Sequence, residues 1–390
     1  MKTIIIGAGP ASLMAATQAI KNGCEVHVFE KMKTAGRKFL VAGDGGFNVT
    51  HDGSINDFTA HYSHPQIAAI IRQFTNIDLI AWFKEVGIET YVGSSGKIFP
   101  VKEIKPAFVL KTWLNFLKNQ GVKFVFNATL QDFSSEEVVI KTNTVIEKHR
   151  FDHLVLGLGA ASWPKTGSDA AWVSLFKTKQ IEIVPFQASN AGINCLLPTE
   201  FLQKFQGEVF KNVIVSHHKS TRKGEVVLTN YGVEGAPIYY LNPSIRSNIS
   251  LPISIDFKPD FSENEIVDLL KNAKNISVGL KKLKIPNPII SWCKSYVTKE
   301  EYTSIHYVAK LIKSFLIKPI SFRPIEEAIS CCGGVSWSEL DENLRLINYP
   351  KISVVGEMID WDAPTGGYLL QACFSTGYVA AQAICQSANL

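Results

Sequence analysis

The chain opens on an apolar, β-branched run, Thr3 to Ile6, of the kind that forms a strand buried on both faces. A glycine turn, Gly7 to Ser12, follows at once. Leu13 to Asn22 then reads as a helix, and Gly23 ends it. The next run, EVHVFE, is a second strand with Glu30 at its C-terminal end. Strand, glycine turn, helix and strand in that order predict a βαβ unit. Later apolar runs predict strands at Phe151 to Gly157, Ile181 to Phe186 and Ile352 to Val355, and a helix opening at Gly366-Gly367 and running through Ala383. Between them the pattern changes. Residues 190–257 alternate short β-rich runs with Gly, Pro and Asn turns. Residues 258–315 read as helices, with a Ser262-x-x-Glu265 capping box and a second helical stretch at Lys299 to Leu316. Residues 316–350 return to strand-like runs.

The apolar N-terminus also fits a secretory signal, but Gly7, Gly9 and Pro10 would interrupt its core, and the second strand stands where a βαβ unit needs it. The run is too short and too glycine-rich to cross a bilayer. The 390 residues predict two or three domains, or one domain carrying an insertion. Hydrophobic residues at 46% and charged residues at 19% exclude a disordered chain, a collagen and a coiled coil. A net charge of +5 gives no strong reason to expect nucleic acid or an acidic membrane. Seven cysteines without a Cys-x-x-Cys argue for reduced thiols in a cytoplasmic protein.

The glycine turn carries the first chemistry. Gly7 permits the tight turn, and Gly9 lets the backbone approach a pyrophosphate seated on the helix N-terminus, where Pro10 and Ala11 begin the helix. Ser12 replaces the third glycine of the pattern and still allows close packing of helix on strand. Glu30 stands where a carboxylate accepts both ribose hydroxyls of an adenosine and disfavours a 2′-phosphate. Lys31 follows it. A plain glycine turn in an ordinary βαβ unit is the alternative. FAD and NAD both use such a fingerprint. The stretch GRKFLVAGDGGFNVT, residues 36–50, offers four glycines for backbone approach to a large planar ligand, with Arg37 and Lys38 able to meet phosphate charge. The other reading of that stretch is a surface loop.

Here the sequence closely resembles the BaiN/YhiN-like flavoproteins, also labelled aminoacetone-oxidase-family FAD-binding enzymes. The resemblance rests on Gly7-Ala-Gly9, Glu30, Gly36-Arg37-Lys38, Gly43, Gly45 and Asn48-Val-Thr50. It continues through SSGKIFP (Ser94 to Pro100), GLGAASWPKTGSDAAW (Gly157 to Trp172), GEVVLTNYGVEGAP (Gly224 to Pro237) and GEMIDWDAPTGGYLLQACFSTG (Gly356 to Gly377). The chain departs from the family at Gly46-Phe47, where the family has Arg-Cys, and at His51, where it has Asn. The resemblance implies non-covalently bound FAD and NAD(P)H as co-substrate. It implies an α/β fold: a Rossmann-like FAD-binding domain of the two-dinucleotide type with an inserted antiparallel β domain and a small helical domain. The expected boundaries are 1–189 with 351–390, 190–257 with 316–350, and 258–315.

Other motifs have competing readings. Gly157-Leu-Gly159 could open a second dinucleotide fold. However, Pro164 blocks the helix that would follow, and no carboxylate ends the next strand, so it reads as the return strand of the first domain. Gly356 and Glu357 follow a late strand of the type that approaches a ribityl chain. Gly366, Gly367 and Tyr368 open a helix whose amides would face the flavin pyrimidine, or serve as a helix cap alone. Cys331-Cys332 reads as two small residues on opposite faces of a strand rather than a redox pair. His217-His218, His61 and His64 lack partners at metal-ligand spacing, so no metal site is expected. The lysines between Lys271 and Lys284 read as a solvated helix face. The expectation is an FAD-dependent oxidoreductase of a small molecule with no nucleic-acid or membrane partner. Alternatives are a structural or sensing flavoprotein and an FAD-dependent RNA-modifying enzyme. No side chain is assigned as a catalytic acid or base.

Overall fold

A computed structural model describes residues 1–41, 47–101, 104–143 and 145–386. Gly43 and Gly45 lie outside the described residues. The chain forms two compact units, Met1–Gln187 with Ser330–Leu390, and Ala188–Ile329.

The first unit is built on a six-stranded sheet. Its strands are β1 (Lys2–Ile6), β2 (Glu25–Glu30), β3 (Lys123–Phe126), β4 (His153–Leu156) and β5 (Tyr349–Val354), ordered β5-β4-β1-β2-β3 and all parallel. The short strand Arg345–Leu346 adds antiparallel to β5 at the edge. Ile5 sits opposite Val28 on one side and Val155 on the other. All three are fully buried, which is why β1 reads as an unbroken apolar run. Because β4 pairs directly with β1, Gly157 and Gly159 follow a strand of the first sheet, as the return-strand reading requires.

Helix α1 (Pro10–Lys21) crosses the sheet and packs on α2 (Tyr368–Gln386). The crossing is tight. A Cβ on Gly377 of α2 would lie 2.1 Å from the Ala11 carbonyl oxygen, so only glycine fits there. This contact brings the C-terminal helix onto the start of the glycine turn.

The second unit holds a seven-stranded antiparallel sheet ordered Phe315–Ile317, Ile253–Asp256, Val209–His217, Ser220–Leu228, Gly232–Glu234, Ile193–Cys195 and Pro319–Phe322. Its two edge strands are separated in sequence by Lys318 alone. Helices Glu263–Lys271, Ile276–Lys282, Asn287–Ser295, Lys299–Thr303 and Ile305–Lys313 complete the unit. The Ser262–Glu265 capping box is present. The single helix expected at Lys299 to Leu316 is instead two, because the Ser304 hydroxyl accepts from the Tyr307 amide and caps a new start.

The boundaries differ from the three-part expectation in two ways. The helices and the sheet share one core, in which Val215, Ile255, Ile266, Ile289 and Val308 are buried together. Residues 330–350, expected with the inserted β domain, belong to the first unit. There Val335 bridges Ile359, and a Cβ on Gly334 would lie 2.3 Å from the Met358 carbonyl oxygen.

Candidate functional site

The C-terminal ends of β1, β2 and β4 converge on a cavity of about 290 Å³. Ligands of parallel α/β sheets bind outside this end of the strands. Gly7, Gly9, Pro10, Ala11, Glu30, Lys31, Gly36, Arg37, Lys38, Gly157, Gly159, Gly356 and Glu357 all line it.

Close packing explains several of these glycines. Gly7 has φ +96°, and a Cβ there would meet the Gly157 carbonyl oxygen at 2.3 Å. Gly157 must in turn be glycine because the fully buried Ser12 Oγ would lie 2.1 Å from its Cβ. Ser12 therefore supports the wall and does not line the cavity; its hydroxyl donates to the Gly157 carbonyl oxygen at 3.4 Å. Gly9 is different. A Cβ on it would meet nothing within 4 Å, so the space beside it is left open at the N-terminus of α1.

Glu30 ends β2 with its carboxylate fixed from two sides. Oε2 accepts from the Ala8 amide at 2.7 Å and Oε1 from the Met32 amide at 2.8 Å. Burial raises its pKa above the ordinary carboxylate value, against those two hydrogen bonds and the charges of Lys31 and Arg37. Lys31 Nζ reaches Asp169 Oδ1 at 2.6 Å, closing an ion pair between two residues of the cavity wall.

Further along the wall, Lys38 Nζ donates to Glu357 Oε2 at 2.7 Å and to Ser162 Oγ at 2.8 Å. This joins the GRK element, the GLGAAS element and the late acidic element. Cys373 lines the cavity nearby. Burial, then the Glu357 charge, pushes its thiol far above the usual range, so it is a neutral packing group. Burial and Glu357 also raise Cys331, whose Sγ accepts from the Ala161 amide at 3.4 Å. Among the described residues, Arg37 Nε and Asn48 Nδ2 are buried without a hydrogen-bond partner. An open glycine wall, a held carboxylate and an unsatisfied guanidinium nitrogen fit the pyrophosphate and ribose of a dinucleotide.

Asn48, Thr50, Gly366, Gly367 and Tyr368 do not line this cavity. Thr50 is fully buried and donates from Oγ1 to Gln371 Oε1 at 2.8 Å. Gly367 has φ +99°, and a Cβ there would fall 2.5 Å from the Thr50 carbonyl carbon, so the start of α2 is pressed onto the Thr50–His51 strand. The Tyr368 ring packs with His51, Phe58, His61 and Tyr62.

Sequence reasoning missed Thr129, Leu130 and Gln131, and gave no role to Ser168, Asp169 and Trp172 of the GLGAASWPKTGSDAAW motif; all six also line the cavity. The first three follow β3, whose last residue Phe126 pairs with Glu30. That position at a strand end was the available signal.

The sheet, the glycine turn, the terminal glutamate and the cavity define a Rossmann-like FAD-binding domain. The family model described as HI0933-like protein Rossmann domain matches residues 1–383, and the chain belongs to this family of flavoprotein oxidoreductases. Among curated relatives, the chain is 22% identical over 433 residues to a 3-dehydro-bile acid delta(4,6)-reductase of Clostridium scindens, covering 97% of this chain and 98% of the relative. It is 22% identical over 406 residues to a ribosomal RNA dihydrouridine synthase of Haemophilus influenzae, covering 98% of each. Among solved structures it is similar to the 3-ketosteroid-delta4-(5alpha)-dehydrogenase of Rhodococcus jostii RHA1, with TM-score 0.54, 12% identity, and 98% and 96% coverage. It is also similar to the 3-ketosteroid delta1-dehydrogenase of Sterolibacterium denitrificans, with TM-score 0.53, 12% identity and 99% coverage of each chain. These two structural likenesses concern the fold alone. No helix among the described residues is long and apolar enough to cross a membrane.

Proposed function

We propose that the chain is an FAD-dependent oxidoreductase that saturates a carbon–carbon double bond conjugated to a carbonyl group of a small molecule, with NADH or NADPH as reductant. The observation that carries the cofactor is the cavity itself. It sets the open Gly9 wall at a helix N-terminus beside Glu30, held by the Ala8 and Met32 amides.

In this reading Gly7, Gly9 and the first amides of α1 hold the pyrophosphate, and Arg37 adds positive charge. Glu30 takes the ribose hydroxyls, and Gly356 with Glu357 meets the ribityl chain. Lys38 balances the Glu357 charge and keeps that carboxylate aimed along the wall. Bound FAD supplies the hydride chemistry. The reductant docks transiently, since Gly157-Leu-Gly159 follows a strand of the first sheet and does not open a second dinucleotide fold.

The reaction class is supported by the two curated names. A delta(4,6)-reductase of a 3-dehydro bile acid and a dihydrouridine synthase both saturate a double bond conjugated to a carbonyl. The second name also favours a second reading, in which the double bond is that of a uridine base in RNA. One experiment tests the main reading. The purified protein, loaded with FAD, is mixed anaerobically with NADH or NADPH and then with a panel of conjugated enones. Bleaching near 450 nm followed by enone-dependent return of colour supports it. Bound flavin that neither nicotinamide bleaches sinks the reductant assignment.

A further inference from the structure

The charge of this chain is not spread evenly. Ala188–Ile329 carries 18 Lys and Arg against 13 Asp and Glu, which is the whole of the chain's net charge of +5. The other unit is therefore neutral overall. Within the charged unit, residues 271–284 hold five lysines and no acidic residue.

Packing turns these lysines outward. Leu270, Leu280 and Leu283 are buried in the core of the unit, and Gly279 lies against Leu270. Lys271, Lys274, Lys281, Lys282 and Lys284 are all exposed. Lys271 stands 3.7 Å from Asp268, but among the described residues Lys274, Lys281, Lys282 and Lys284 have no ion-pair partner. The four lysines without an ion-pair partner repel one another; the negative charge of a polyanion relieves that repulsion, and their contact releases counterions from the polyanion.

We propose that the lysine face at 271–284 is a docking surface for the phosphate backbone of RNA. The proposal rests on the second reading above, in which the reduced base belongs to RNA. No aromatic side chain interrupts the stretch, so the contact is electrostatic and indifferent to sequence.

The test uses the full chain and a fluorescein-labelled single-stranded RNA 20-mer, with anisotropy read from 50 to 200 mM KCl. A quadruple variant, K274Q/K281Q/K282Q/K284Q, is compared with a control, K111Q/K118Q/K141Q/K148Q, which removes the same charge from exposed positions of the other unit. Circular dichroism checks that both fold. The expected result is salt-dependent binding by the wild type and at least about a 10-fold loss in the first variant. The slope of log K against log salt should also fall by roughly 3 in that variant, at about 0.7 per phosphate contact. The control should keep its affinity within about 2-fold. Equal losses in the two variants overturn the surface but leave the RNA reading standing. No binding by the wild type overturns both, while the enone experiment still decides the main reading separately.

Discussion

Lys38 Nζ stands 2.7 Å from Glu357 Oε2, a hydrogen-bonded ion pair between residues 319 positions apart. Both side chains are mostly withdrawn from water, and the Ser162 hydroxyl takes a second donor hydrogen of the lysine. One contact thus ties the first glycine-rich stretch to the last acidic element, on the wall of the cavity assigned to FAD. Lys38→Met leaves the Glu357 carboxylate partly buried and unpaired. The expected cost is about 1–3 kcal/mol in urea unfolding, with weaker flavin retention. Adding Glu357→Gln should recover part of the stability loss, so that the double variant loses less than the sum of the singles. Strict additivity would show that the pair is a surface contact of no consequence.

Glu30 has two jobs in the structure, and two substitutions separate them. Its carboxylate satisfies the Ala8 and Met32 amides as well as facing the cavity. Glu30→Ala should therefore lose roughly 1–3 kcal/mol of stability together with flavin content. Glu30→Gln keeps an acceptor oxygen and removes the anion. Its NH2 is set against one of the two amides, so it should lose part of the stability that Glu30→Ala loses, and it should bind FAD at least about 10-fold more weakly, the scale of one charge-assisted hydrogen bond. Titration of FAD against the apoprotein by flavin fluorescence measures the second effect. An unchanged dissociation constant in Glu30→Gln would place the ribose elsewhere.

The glycines of the turn should behave as opposites. In Gly7→Ala the new methyl meets the Gly157 carbonyl oxygen at 2.3 Å, at a φ of +96° that alanine rarely adopts. That variant should be destabilised by more than about 3 kcal/mol, and poor soluble yield is the expected observation. In Gly9→Ala the methyl enters open space. Its thermal midpoint without cofactor should match the wild type, and only FAD binding should suffer. A Gly9→Ala protein with full flavin affinity would mean that the pyrophosphate does not lie on this wall.

His153 gives the sheet an acid sensitivity. It is buried in β4, where Nε2 shares a hydrogen with Ser353 Oγ at 3.0 Å. Burial, with the charge of Arg345 next, lowers its pKa from 6.5 to about 3. Between those two values the unfolded chain binds a proton that the folded chain refuses. Stability is therefore present above pH 6.5 and declines as pH falls toward 3, by up to about 1.4 kcal/mol per pH unit from this group. His153→Gln removes the titration. Thermal midpoints measured from pH 7 to pH 4 should fall less steeply in the variant, and parallel curves would show that His153 is already charged in the fold.

Much of the first unit could be read from the sequence, because its signals are local. A β-branched run, a glycine turn and a terminal Glu30 name their own element. The parallel sheet with Gly157 and Gly159 just after its return strand follows from them. What stayed hidden depends on contacts between distant segments. Thr50, Gly367 and Tyr368 sit in motifs that suggested the cavity, yet Gly367 is glycine because the Thr50 backbone lies against it. Thr129 and Gln131 carry no motif, and only the pairing of β3 beside Glu30 brings them to the wall. The domain boundary at 330 was equally invisible, since glycines at 333 and 334 look like turn residues until the Met358 carbonyl is placed against one of them.

The central claim is that the cavity beside Gly9 and Glu30 holds FAD, and the most direct measurement is an FAD titration of the cofactor-free protein followed by quenching of flavin fluorescence. The account predicts one saturable site in the wild type, weakened at least about 10-fold in Glu30→Gln and weakened also in Gly9→Ala, with both variants folded. A wild-type chain that does not bind FAD, or two variants that bind it as tightly as the wild type, would contradict it.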